Sequence, residues 1–433
     1  MFVSKVSLVN FRNYQQCQLL LRPGRNVLIG ENAQGKSNFL EAIELLATCR
    51  SPRADKDADL ILWNSEAMSA KVDFVAGGSE ESLCVRMART AGLRPPVQSS
   101  AAAGRPPVQS SNRVEKLATI NGVQQKSMTE LLGRLLVVSF ASHDLNLLRG
   151  GPKFRRDWID SLILKLRPAF ISTFSDYQKS VAQRNRLLKS IFERGKVTVT
   201  DQDQLLVWDK QVARFGAAII KQRLAMLARL LPLAENQQQR ISRQKELLSI
   251  RYMFKASEQL VEETWLGDEA EAADGGGDKD LSTGPLTAMQ LQQMEEIELA
   301  KTLMRLLKER RAEEIRRKQT TVGPHRDDLI ICLNDKDAVT FASQGQQRSI
   351  VLSLKMAEVA LIRECCNDSP VLLLDDVLAE LDEFRQALLM SVTEEGLQTI
   401  ITTTHLTGFD PRWLEGSVIF KVHAGVIEQP LPC

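Results

Sequence analysis

Apolar positions change their spacing twice along this chain. Residues 1–29 read as strands: Val3, Val6 and Leu8 recur at strand spacing, and 17–22 forms a second run. Pro23-Gly24 then supplies a turn before a short buried strand over 26–29. Residues 38–47 switch to helical spacing, with Phe39, Leu40, Ile43, Leu46 and Ala47 on one side. Strand spacing returns over 68–90 (Val72, Phe74, Leu83, Val85, Met87) and again over 117–122. Between them Arg94-Pro-Pro-Val-Gln-Ser-Ser100 recurs as Arg105-Pro-Pro-Val-Gln-Ser-Ser111. Its Pro, Ser, Ala and Gly bury too little apolar surface to order themselves, which predicts a duplicated surface loop at about 91–113, without catalytic meaning.

From about residue 153 to 317 the pattern is helical, with apolar residues three and four apart over 154–166, 170–193, 202–240 and 290–318. An acidic, Ala- and Gly-rich stretch at about 266–286 interrupts it and reads as a disordered loop. These helices are too short and too interrupted for a long coiled coil. Strands return over 329–333, 371–374, 399–402 and 418–422. The pattern predicts an α/β fold: a head with a mixed sheet and flanking helices, assembled from 1–152 and 318–433, with an α-helical arm (153–317) inserted between the halves.

Length and composition narrow the picture. At 433 residues the chain exceeds what one hydrophobic core holds, roughly 250–300 residues. With 43% hydrophobic and 25% charged residues it is a globular chain. No apolar run approaches the roughly 18–20 residues of a membrane span, and the strand-like start lacks a signal-peptide layout, so no membrane partner and a cytoplasmic location are expected. Seven scattered cysteines, an odd number without C-x-x-C spacing, suggest neither a disulfide framework nor a zinc site. The net charge of +2 leaves any nucleic-acid contact to local basic patches.

The chemistry starts at Gly30-Glu31-Asn32-Ala33-Gln34-Gly35-Lys36-Ser37, a complete G-x-x-x-x-G-K-S pattern that follows an apolar strand and opens a helix. Gly30 and Gly35 let backbone N–H groups turn onto phosphates, and the helix adds its positive N-terminal end. Lys36 would reach the β- and γ-phosphates of ATP, and Ser37 would coordinate Mg²⁺. Far away in the sequence an apolar strand ends in Asp375-Asp376. Asp375 suits the Mg²⁺ side; Asp376 points differently and suits a general base for the attacking water. Asp382 follows closely enough to bridge to a partner subunit. A third segment, Ser343-Gln344-Gly345-Gln346-Gln347, precedes an apolar helix. Ser343 is either simply the cap of that helix or part of a second anion site. In the second case one γ-phosphate is gripped by the glycine loop of one copy and Ser343 of another, so the protein is a homodimer when it holds nucleotide.

These segments together resemble the ATP-binding-cassette heads of the SMC and Rad50 class, and more narrowly the RecF family of bacterial DNA replication and repair proteins. The matching segments are Asn10-Phe11-Arg12-Asn13-Tyr14, the 30–37 loop, Gly323-Pro324-His325-Arg326-Asp327, the 343–347 signature, and 372–377 with Glu380-Leu381-Asp382, collinear at both chain ends. The resemblance implies a two-lobed head that dimerises on ATP, binds single-stranded and gapped duplex DNA, and works with RecO and RecR to load the recombinase. Slow, DNA-dependent ATP hydrolysis would reset it. It also implies a γ-phosphate-sensing role for His405, whose plain alternative is an exposed strand-end histidine. His325 is left between a structural role and the shared site.

One segment departs from the family: Phe140-Ala141-Ser142-His143-Asp144-Leu145 stands where Phe-Ser-Pro-Glu-Asp-Leu is usual, leaving Asp144 as the candidate there. The Arg-Arg pair that follows in the family is present as Arg155-Arg156. Arg155, Arg156, Arg184 and Lys189 are the candidate DNA contacts from three basic clusters, each of which also reads as a solvated helix face. Tyr177 and Trp208 are isolated, which favours backbone contacts over base stacking. A transporter-type nucleotide-binding subunit, another SMC-like head, and a scaffold with a vestigial site are the other classes to separate.

Overall fold

The computed structural model describes residues 1–89, 114–255, 288–378, 381–393, 396–406, 409 and 411–428; the duplicated segment and the acidic stretch lie outside them. The chain divides into two compact units, residues 1–142 with 362–433, and residues 143–361.

The first unit holds two six-stranded sheets. One is antiparallel, in the order Tyr14–Leu20, Phe2–Phe11, Ala67–Ala76, Ser79–Arg89, Val114–Ile120, Val123–Gln124. Its strands alternate as a half-buried sheet must, with Met68, Ala70, Val72 and Phe74 inward. The other runs Val426–Ile427, Val418–His423, Arg25–Ile29, Thr399–Thr403, Val371–Asp375, Val137–Ala141, parallel except at the first pair. Val371 to Leu374 are all buried, as the continuous apolar run of a parallel strand covered on both faces requires. Helix Lys36–Thr48 puts Phe39, Leu40, Ile43 and Leu46 into one core with Val6 and Leu8 of the first sheet and Leu373 and Ile400 of the second. The head is therefore built from both chain ends, as the strand pattern implies.

The second unit is mostly helical: Pro152–Leu166, Ile171–Arg194, Val199–Ser242 and three short helices over 288–317. Thr198 and Asp201 form a reciprocal capping box that starts the 44-residue helix Val199–Ser242. Three features differ from the sequence expectation. The stretch 290–318 is broken at Glu295, which caps a new helix, and at Arg310. Leu248–Met253 is an unexpected strand, although Leu248, Ile250 and Tyr252 alternate and are buried. It pairs with Asp328–Leu333, so that expected strand belongs to a small sheet of this unit and not to the head.

The division also falls at 361/362, where the pattern placed a boundary at 317/318. The physical reason is one shared core: Leu329, Ile331, Ile350, Leu354, Ala357 and Leu361 pack with Leu224, Leu227 and Leu231 of the long helix.

Candidate nucleotide site

The glycine loop leaves the carboxyl end of strand Arg25–Ile29, where open α/β sheets bind ligands. A Cβ on Gly30 would lie 2.3 Å from the Val422 carbonyl oxygen, and one on Gly35, at φ +113°, would lie 2.6 Å from the Asn13 amide. Neither position accepts another residue without movement. The crest, Glu31, Asn32 and Ala33, is exposed. Lys36 folds back over the loop, donating to the carbonyls of Gly30 (2.6 Å) and Glu31 (2.7 Å). Burial lowers its pKa while Asp376 and Asp375 pull it up.

The loop is held from below by the Asn10–Tyr14 segment, whose role no sequence rule exposes. Asn13 donates to the Gln34 carbonyl (3.1 Å) and accepts from Asn38 (2.9 Å), Tyr14 donates to the Gly35 carbonyl (3.0 Å), and Arg12 forks onto Glu41 at 2.9 and 2.6 Å. Gln34 also accepts at its side chain from Ala424 N (2.6 Å) and at its carbonyl from Gly425 N (2.9 Å).

The acidic strand end meets the loop directly. Ser37 Oγ donates to Asp375 Oδ1 (2.7 Å), and Thr402 Oγ1 donates to the same oxygen (2.7 Å). Two hydroxyls fix one carboxylate, across 338 residues of sequence in the first case. Ser37 and Asp375 thus present a pair of hard oxygens suited to Mg²⁺, which takes one or two protein ligands and completes its shell with phosphate and water. Among the described residues no cluster of three or more His, Cys, Asp or Glu is placed to hold a metal by itself.

Asp376 is different. It sits at φ +55°, its N–H held by Thr402 (3.2 Å to the carbonyl, 3.1 Å to Oγ1), and its Oδ1 is buried with no hydrogen-bond partner among the described residues. Burial raises its pKa; Asp375 adds to this, while Lys36 and His405 oppose it. His405 is exposed, with Nδ1 2.8 Å from Thr404 Oγ1. Asp382, also exposed, accepts from Arg385 N (2.8 Å) and pairs with the Arg385 guanidinium.

The signature segment lies in the second unit, and Ser343 is the cap of the helix that follows it. Ser343 and Gln346 form a capping box: Ser343 Oγ accepts from Gln346 N (3.3 Å), and Gln346 Oε1 accepts from Ser343 N (2.8 Å). Ser343, Gln344 and Gly345 are exposed, and a Cβ on Gly345 would meet nothing within 4 Å. Gln347 is turned inward, accepting from Arg149 Nε (2.8 Å) and donating to the Ala342 carbonyl (3.2 Å), so it braces the segment and is not part of its open face.

Three sequence candidates prove to be internal. His325 bonds to the Tyr177 hydroxyl (2.6 Å) and the Thr320 carbonyl (3.2 Å), and burial brings its pKa down to about 4. This is the structural role. Asp144 pairs with Lys355 (3.0 Å), which Glu358 also approaches (3.8 Å). Asp327 accepts from the Tyr252 hydroxyl (2.7 Å) and Lys255 N (3.2 Å), and burial pushes it up to about 6.

The two shifts have opposite consequences. Between about pH 4 and 6.5 the unfolded chain protonates His325 more than the folded one, so acid destabilises the fold. Between about 3.8 and 6 the folded chain protonates Asp327 more, so acid stabilises it. Asp327→Asn removes the second effect. Its stability, measured by urea denaturation, is expected to fall by up to about 1.4 kcal/mol per pH unit from pH 6 to 4.5 relative to wild type.

The basic candidates need correction. Arg184 is fully buried: it hydrogen-bonds Asp209 (2.7 Å) and Thr320 Oγ1 (3.0 Å) and forms an ion pair with Glu314 (2.6 Å), and Arg311 completes the cluster on Asp209 (2.8 Å). Arg155 is buried in a two-pronged pair with Asp328 at 2.9 and 3.0 Å. Neither side chain is presented to a nucleic acid. Arg156 is half-buried and donates to the Asp327 carbonyl (2.7 Å), and Lys189 is exposed, 3.9 Å from Glu193. Helical charge spacing looks the same whether the charge is solvated or paired inside. Arg184→Ala leaves the buried Glu314 without the cation it pairs with and Asp209 with Arg311 alone, so it is expected to cost about 3–5 kcal/mol in a denaturant titration.

A loop serine and a threonine hydroxyl fixed on the one carboxylate of an acidic strand end, at the carboxyl edge of a parallel sheet, define an ATPase head of the P-loop class. Residues 2–411 match the RecF/RecN/SMC N-terminal domain family. The chain is 36% identical to the DNA replication and repair protein RecF of Synechocystis sp. over 436 aligned residues, covering 100% of this chain and 99% of the relative. Against the RecF of Microcystis aeruginosa it is 38% identical, covering 99% and 100%. A solved structure of the recombination mediator protein RecF-ATP in the RecFOR pathway superposes with a TM-score of 0.79 at 29% identity, covering 99% of this chain and 98% of that one. The chain belongs to the RecF family.

Proposed function

We propose that this protein is an ATP-switched DNA clamp of recombinational repair and replication restart. The observation that carries the reading is the Ser37–Asp375 junction with the unpartnered carboxylate oxygen of Asp376 beside it, in a chain whose signature face at Ser343 and Gly345 is open. The 30–37 loop binds ATP, with Ser37 and Asp375 holding Mg²⁺. Asp376 takes the proton of the attacking water, with His405 near the γ-phosphate. Residues 343–345 of a second copy close the site, and Asp382 lies at the same junction. Hydrolysis is slow and DNA-dependent, and the ATP-bound homodimer is the DNA-holding form. The nucleotide-holding unit comprises 1–142 and 362–433, and the arm 143–361.

Relatives named as DNA replication and repair proteins, and an ATP-bound structure named for the RecFOR pathway, support DNA, RecO and RecR as partners; single-stranded and gapped duplex DNA are the forms proposed. They favour this reading over a transporter subunit. No helix among the described residues is long and apolar enough to cross a membrane.

Sedimentation with and without ATP and gapped DNA tests the proposal. Wild type is expected to shift from monomer to dimer with ATP, and further with DNA. Lys36→Arg is expected to keep its thermal midpoint and lose the ATP-driven shift, because the broader guanidinium cannot occupy the pocket in which the ammonium donates to two loop carbonyls. An Lys36→Arg chain that dimerises with ATP as wild type does contradicts it.

A further inference from the structure

The signature serine is held by Gln346, and Gln346 in turn by Glu246, a residue outside every motif named above. Gln346 is fixed at both ends: its Oε1 accepts from Ser343 N (2.8 Å) and its Nε2 donates to Glu246 Oε1 (2.9 Å). Glu246 Oε2 in turn accepts from Gln238 Nε2 (2.6 Å), and Gln238 Oε1 accepts from Ser353 Oγ (2.7 Å). Gln238 and Ser353 are fully buried, and Ser242 Oγ accepts from the Glu246 backbone N–H (3.2 Å). A carboxylate only accepts, so it selects the NH₂ end of the Gln346 amide and turns the oxygen toward Ser343. With Ser343 N–H satisfied there and Ser343 Oγ accepting from Gln346 N, the Ser343 hydroxyl proton remains available to donate outward.

We infer that Glu246 is the positioning residue of the signature, orienting Gln346 and through it the Ser343 hydroxyl toward the anion it meets on association. The inference rests on the shared-site reading above. It assigns Glu246 no contact with nucleotide and no part in the chemical step.

The test is a double-mutant cycle on ATP-driven dimerisation, read by sedimentation velocity across protein concentrations. Glu246→Ala is expected to weaken the ATP-bound dimer about 5- to 10-fold, the usual loss for one ordinary hydrogen bond, since Glu246 acts only through Gln346. ATP affinity of the monomer is expected to stay at the wild-type value, while the thermal midpoint falls by a few degrees because Gln238 Nε2 loses its buried acceptor. Glu246→Gln keeps the shape and one acceptor and is expected to weaken the dimer roughly twofold. Gln346→Ala is expected to match Glu246→Ala, and the double variant to be no worse than either, since both break one chain of contacts. Additive losses, or a Glu246→Ala dimer as tight as wild type, overturn the inference. Ser343→Arg separates the two levels. If it abolishes dimerisation while Glu246→Ala is silent, only the inference falls; if Ser343→Arg dimerises normally, the shared-site reading falls.

Discussion

Asp376→Asn is expected to lower ATP turnover by about 10²- to 10⁴-fold, the range a positioned general base contributes, while ATP binding and dimerisation persist. The two acids of the strand end are not equivalent. Asp375 spends one oxygen on Ser37 and Thr402 together, which is the work of a fixed ligand. Asp376 keeps a buried oxygen without a partner and has its pKa raised by that burial, which makes it the better proton acceptor of the pair. An amide at 376 has nearly the same shape and cannot take the proton. The dimer should therefore accumulate with unhydrolysed ATP, seen as a long-lived dimer in sedimentation beside a flat phosphate-release trace. If Asp376→Asn turns over at the wild-type rate while Asp375→Asn still binds ATP and does not, the roles are reversed.

Ser343→Arg is expected to bind ATP within about twofold of wild type and to lose both dimerisation and turnover. Magnitudes separate this from unfolding. Removing a helix cap costs about 1 kcal/mol, a minor fraction of the 5–15 kcal/mol that holds a domain together. Ser343 and Gly345 are exposed, with open space where a Cβ on Gly345 would project, so nothing inside the chain is displaced by the longer side chain. Only an approaching phosphate and its protein are. Isothermal titration and phosphate release on the same preparation check the pair of outcomes; unimpaired turnover would contradict the account.

The glycine loop and the Asp375-Asp376 strand end were legible because each is a local device: spacing alone fixes what such a loop or strand end can do. Their meeting was not, since Ser37 and Asp375 come together only through the order of the parallel sheet. The same limit explains the corrections. Arg184 sits at helical spacing among other cations, and only the fold brings Asp209, Glu314 and Thr320 around it. Asn13 and Tyr14 were noticed as a motif without a reason, which is the support they give to Gln34 and Gly35. Leu248–Met253 carried a readable alternation but sat beside long helical patterns that drew it in. Glu246 carried no signal, being one carboxylate in a charged stretch.

The central claim is that one ATP is gripped by two copies of the chain, and mixing two inactive variants tests it most directly. Lys36→Arg has a damaged loop and an intact signature; Ser343→Arg has the reverse. A heterodimer of the two contains one site with both parts intact and one with both damaged. If the site is shared, each variant alone is silent, and since neither dimerises with itself every dimer in an equimolar mixture is mixed and carries one working site of two, so the mixture hydrolyses ATP at up to about half the wild-type rate. If instead each chain builds its site from its own loop and its own signature, the mixture stays as silent as its components.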